Sequence, residues 1–190
     1  MEEQTKFLVK TTGMLLRYDS KTGVSEILLR AIKTPKTVEG VYTIVPDEAT
    51  EDQLEGVDTP VGEPSAVSYS LIEDFLDPEL DAESSMAKAI ADIVGIESLA
   101  FESMAPSRVY SEVNREPEER VLSLFHVIQL SEGTDYAEGK DDLVWFATQS
   151  EEHKVVLSNK DSTIVLYRDG RSVGDADLIN DHSTMIVSVM

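Results

Sequence analysis

Cysteine is absent from the chain. Disulfides, thiolate nucleophiles and thiolate zinc sites are therefore excluded together, and the composition is compatible with a reducing compartment. Basic residues are scarce: 16 Lys and Arg stand against 37 Asp and Glu, for a net charge of -21. Such a field opposes binding to nucleic-acid backbones and to anionic membrane surfaces. No apolar run approaches the ~18 residues of a bilayer-spanning helix, and the start Met1-Glu2-Glu3-Gln4-Thr5-Lys6 lacks the basic head and apolar core of a signal peptide. A soluble, cytoplasmic protein is expected. The three histidines, His126, His153 and His182, have no metal-ligand spacing. His126 lies in an apolar run and reads as a hydrogen-bonded core residue, while His182 follows Asp181, a helix-cap residue type. There is no G-x-S-x-G elbow, P-loop, dinucleotide fingerprint or internal repeat.

What the chain does have is acid, unevenly spread. Between Glu39 and Met104 there are 17 acidic residues and one base, Lys88. Within that stretch Pro46–Ser65, PDEATEDQLEGVDTPVGEPS, holds seven acids, three prolines, two glycines and no base, which is loop chemistry.

The apolar pattern around it is that of one α/β domain spanning 1–190, since 41% apolar residues in a chain of this length can bury a full core. Strands are expected at Phe7–Tyr18, Val24–Ala31, Val38–Val45, Val67–Leu71, Val121–Leu130, Leu143–Thr148, Val155–Leu157 and Thr163–Tyr167, where apolar and β-branched residues cluster between turn signals. Asp19–Gly23 reads as the turn joining the first two. A helix is expected over Ala82–Val94, where Met86, Ile90, Ile93 and Val94 share one face, with Gly95 as a left-handed cap.

The stretch Ser70–Ile96 resembles the box of the Nudix hydrolases, G-x5-E-x7-R-E-U-x-E-E-x-G-U with U a bulky aliphatic residue. Gly95 and Ile96 set the register, Ile90 takes the inner aliphatic position, and Ser70–Phe75 is similar to the strand and turn that precede the family's helix. Most of the chemical letters differ. The box glycine falls on Asp74, the first glutamate on Leu80, the arginine on Lys88, and the three remaining glutamates on Ala89, Asp92 and Ile93. Outside the box, Arg115–Phe125 and Leu178–Ile186 resemble segments of ADP-ribose pyrophosphatases and of NAD-biosynthesis regulators, and Trp145 stands where those proteins often carry a tryptophan at a strand end.

The resemblance implies a Nudix-type α/β/α sandwich with a mixed β-sheet, in which 46–65 is an acidic loop inserted before the box strand. It also implies chemistry that needs Mg2+ held by several carboxylates. With one acid left of four, the expectation is a catalytically inactive module that binds a protein or a nucleotide-like ligand, with no cofactor. In the alternative, a displaced site of Glu79, Glu83 and Asp92 holds Mg2+ and weakly hydrolyses a nucleoside diphosphate derivative. A third reading makes the acidic face a nucleic-acid mimic for a basic partner protein. An anionic ligand would be met by Arg30, Arg108, Arg115 or Arg120, the last three expected in one loop. A homodimer is compatible with all three readings, and because the chain ends at Met190 the winged-helix part of the regulators is not expected.

Overall fold

The computed structural model describes residues 6–34, 36–38, 41–43, 66–97, 108–113, 119–131, 140–152, 154–159, 163–167 and 182–190. The acidic segment 46–65, Arg115, His153 and Asp181 lie outside them.

Long alternating runs of apolar and β-branched residues form the two central strands, β1 (Lys6–Asp19) and β2 (Val24–Thr34), joined through the Asp19–Gly23 turn. β3 (Lys36–Val38) and β4 (Val41–Thr43) make a separate two-stranded hairpin. Of the single strand expected over Val38–Val45, Val38 ends β3 and Val41–Thr43 is β4, and these two strands are antiparallel. β5 (Ala66–Ser70) pairs with β2, and after Leu71 the chain continues as β6 (Ile72–Phe75), which pairs with β1. This run fills the fork where β1 and β2 diverge. Ile72–Phe75, expected to contain a turn, is strand throughout, because Gly13 to Lys10 of β1 offer it a ladder. β7 (Arg108–Val113), β8 (Glu119–Gln129), β9 (Leu143–Glu151), β10 (Lys154–Ser158) and β11 (Thr163–Tyr167) complete a sheet ordered β11-β10-β9-β2-β1-β8-β7. Its ladders are antiparallel except β1 with β8, so the sheet is mixed.

A core cluster lies on each face. Met14, Ile27, Leu29, Leu71, Phe125 and Phe146 pack on one side with Met185 and Ile186 of α2 (His182–Val189). On the other, Leu15, Leu28, Ile72 and Ile128 pack with Met86, Ala89, Ile90 and Val94 of α1 (Ala82–Val94). The alternation of Met14 with Leu15, and of Leu28 with Ile27 and Leu29, follows from the period of two in a strand. Burial of each large side chain on α1 contributes roughly 1.5–3 kcal/mol relative to exposure.

Helix α1 occupies the expected residues, and its ends are well satisfied. Asp81 accepts the Ser84 N–H at 2.7 Å as N-cap. Gly95 closes the helix at φ 88°, a backbone conformation that disfavours a side chain. Lys140, from the turn before β9, donates to the Ile93 carbonyl at 2.6 Å and sets a positive charge against the helix C-terminus. The helix sits close to the sheet because β1 has a glycine beneath it: a Cβ on Gly13 would lie 2.8 Å from Met86 Cε and 3.0 Å from its Sδ.

Candidate functional site

The residues that lead from β6 into α1 form a rim of acids, of which Asp74, Asp77 and Asp81 each have a local task. Asp77 closes the turn: its carboxylate accepts the Glu79 N–H at 3.0 Å, and its carbonyl accepts the Leu80 N–H at 3.1 Å. Its own N–H donates to Ser85 Oγ of α1 at 3.0 Å, fixing the turn against the helix. The second carboxylate oxygen takes Lys88 Nζ at 3.0 Å. The Glu79 N–H and, after it, Lys88 hold the Asp77 carboxyl below its ordinary value, while the hydrogen bond to Asp77, with the charges of Asp77, Asp92 and Asp74, holds the Lys88 ammonium above its own. Asp81 is also lowered, first by the Ser84 N–H that it caps. Asp74 is exposed and bonds the adjacent Phe75 N–H at 2.8 Å.

On the helix itself Ala89 is fully buried and Ile93 packs against the apolar cluster beneath α1. Asp92, Glu83, Glu79 and Leu80 are exposed. Among the described residues no group of three His, Asp or Glu is placed to hold a metal ion, so Glu79, Glu83 and Asp92 do not converge.

A second polar cluster lies across the sheet. Glu73 of β6 takes Lys10 Nζ on one carboxylate oxygen at 3.0 Å and His182 Nε2 on the other at 3.2 Å, and His182 Nδ1 accepts the buried Leu71 N–H at 3.1 Å. Burial pushes the Glu73 carboxyl up, but the hydrogen bond and electrostatics of His182, together with the charge and hydrogen bond of Lys10, bring it down to about 2. Lys10 Nζ also stands 5.6 Å from the ring centre of the exposed Phe75. Nothing local in the sequence marked this cluster, since Glu73 and His182 are 109 positions apart.

Two of the candidate arginines are not in the loop expected for them. Arg108 opens β7 and Arg120 lies in β8; they are strand residues and not members of one loop. Arg-Val-Tyr-Ser-Glu-Val at 108–113 alternates as an edge strand does, and β8 gives it a ladder. Arg108 is paired to Phe125 and Arg120 to Val113, five positions apart along β8, about 17 Å at the strand rise. Arg30 on β2 pairs with Asp142 at 3.0 Å, and both side chains are nearly half exposed. Trp145 lies near the start of β9, with the Arg17 guanidinium 4.0 Å from its ring centre.

No family model matches the sequence, and no curated protein matches it significantly. Solved structures do match. A MutT/nudix family protein from Enterococcus faecalis superposes on 98% of this chain with a TM-score of 0.67 at 18% identity. The chain has the Nudix fold. It spans 62% of that protein's length. A bifunctional NMN adenylyltransferase/ADP ribose pyrophosphatase from Francisella tularensis, solved with AMP and a manganese ion, aligns over 97% of this chain at a TM-score of 0.51 and 13% identity, and the chain spans 41% of it. On this Nudix fold the box helix is α1. Its Ala89, Asp92 and Ile93, with Leu80 in the turn before it, stand where the resemblance places the family's glutamates, and Lys88 where it places the arginine. Gly95 has the left-handed conformation expected of it as the helix cap.

Proposed function

We propose that this chain is a Nudix-type α/β/α sandwich that works as a binding or interaction module and does not hydrolyse pyrophosphate bonds. The observation that carries the reading is the burial of Ala89 and the packing of Ile93 at positions where metal-dependent chemistry needs oxygen ligands. Asp92 alone offers one ligand, so the residues present do not fit a resident Mg2+. The remaining acids of the rim support the same view. Asp77 and Asp81 are held by backbone N–H groups, and Lys88 supplies the positive charge beside Asp77, Asp92 and Asp74.

As for what is bound, a partner protein fits best. Arg30 is engaged by Asp142, and Arg108 and Arg120 are held on two strands, five positions apart along β8, and not together in one loop. AMP, which the Francisella enzyme was solved with, is the probe for the nucleotide-like alternative. Incubation with ADP-ribose, dinucleotides and nucleoside triphosphates in Mg2+ or Mn2+ is expected to give no turnover above buffer. Turnover that is lost in Asp92→Asn would overturn the proposal and restore the displaced metal site. Calorimetry with AMP and ADP-ribose up to millimolar concentration is expected to show no binding. Binding that falls ten- to a hundredfold on Arg30→Ala or Arg120→Ala would assign the module to an anionic small molecule instead.

A further inference from the structure

The cluster around His182 has a feature that an ordinary buried ion pair lacks: its hydrogen bonds define the protonation state of the ring. The Leu71 N–H is a donor, so Nδ1, 3.1 Å away, must accept, and the proton of the neutral imidazole is then on Nε2, facing Glu73 Oε2 at 3.2 Å. Leu71 is the one residue between β5 and β6, where the run leaves β2 for β1. His182 is the first residue of α2, whose Met185 and Ile186 close the core cluster on that face. One ring therefore ties the helix to the point at which the sheet forks.

We propose that His182 is a proton-operated latch: the neutral ring docks α2 on the β5–β6 junction, and protonation of Nδ1 releases the helix and uncovers the apolar face around Met14, Leu71 and Phe146. An imidazolium donates from both nitrogens, so protonation sets N–H against the Leu71 N–H and leaves a buried backbone donor without its acceptor. The Glu73 carboxylate opposes this by attracting the cation, but it already has Lys10 at 3.0 Å. Adding the proton turns a charge-balanced Lys10–Glu73 pair into a cluster of net positive charge around a side chain that is 1% exposed. The helix segment HSTMIVSV, the strand TIVLY of β11 and the strand AVSYS of β5 contain no Asp or Glu, and on β6 the acid besides Glu73 is Asp74, which is exposed and accepts the Phe75 N–H. Asp181, the neighbour in sequence, lies outside the described residues.

The test is amide hydrogen exchange over 182–190 and at Leu71, at pH 7.5 and pH 5.5, each corrected for the intrinsic chemical rate. Protection in the wild type is expected to fall severalfold, up to about tenfold, at pH 5.5. His182→Gln keeps an acceptor and a donor on one side chain and has no proton to gain, so its protection is expected to be the same at both values. Equal protection of the wild type at both pH values, or an equal loss in His182→Gln, would overturn the latch. Should the glutamine variant not fold, nitrogen-15 NMR of the wild-type imidazole decides. The Nδ1 resonance and the Leu71 amide are expected to titrate with one midpoint, and a Leu71 amide indifferent to the ring's titration would overturn the proposal.

Discussion

Truncation of Met86 to alanine should cost about 2–5 kcal/mol of stability, because the side chain is fully buried between α1 and β1 and its removal leaves a cavity under the helix. Gly13→Val should cost about 1–3 kcal/mol for the opposite reason: the new Cβ would fall 2.8 Å from Met86 Cε, and the thioether has Thr11 Oγ1 3.4 Å from its sulfur. In the double variant the valine fills part of the space that Met86 vacates. Urea unfolding of the two single variants and the pair is expected to give a combined loss smaller than the sum, by about 0.5–3 kcal/mol. Full additivity would mean that Gly13 and Met86 are not in contact. The cycle thus reads the distance between the box helix and its sheet without reference to any activity.

Glu73→Ala should be nearly as damaging. It removes the shared partner of Lys10 and His182 from a site where the Glu73 side chain is 13% exposed, and breaking one member of a buried pair costs about 3 kcal/mol or more. The same carboxylate sets the acid limit. Its pKa is lowered from 4.5 to about 2 by folding, so its contribution is complete above pH 4.5 and is lost as pH falls from there toward 2. A shift of that size corresponds to about 3 kcal/mol for a group this well buried. Unfolding free energies measured between pH 6 and pH 2 are expected to fall more steeply in the wild type than in Glu73→Ala, with the curves converging at the acid end. Parallel curves would show that Glu73 does not contribute through its charge.

The contrast between these sites shows which kinds of information a sequence carries. Helix α1 was legible to the residue. Its apolar positions recur at spacings of three and four, and Gly95 is the residue that a left-handed C-cap favours. These are local causes, each acting within a turn or two of chain. Most strands were legible for the same reason, since β-branched and aromatic residues alternate between turn signals. β7 was missed because Arg108–Val113 is polar at alternate positions and becomes a strand only through its ladder with β8. The division of Val38–Val45 was missed because its β-branched and aromatic residues outweighed Glu39-Gly40, a pair of the kind that marks a turn.

Within the candidate site, the sequence by itself determined which oxygen ligands the box helix can offer: Ala89 and Ile93 have none, whatever the fold. Tertiary structure alone decided what the surviving charges do. Asp77 and Lys88 are 11 positions apart and meet because the turn before α1 folds back on the helix, whereas Glu73 and His182 are 109 apart and meet only through the packing of α2 on the sheet. A carboxylate's identity is written in one codon's worth of chain, but its partners are set by where the strands cross. That is why the absence of the metal-binding acids could be read directly, and the Lys10–Glu73–His182 cluster could not.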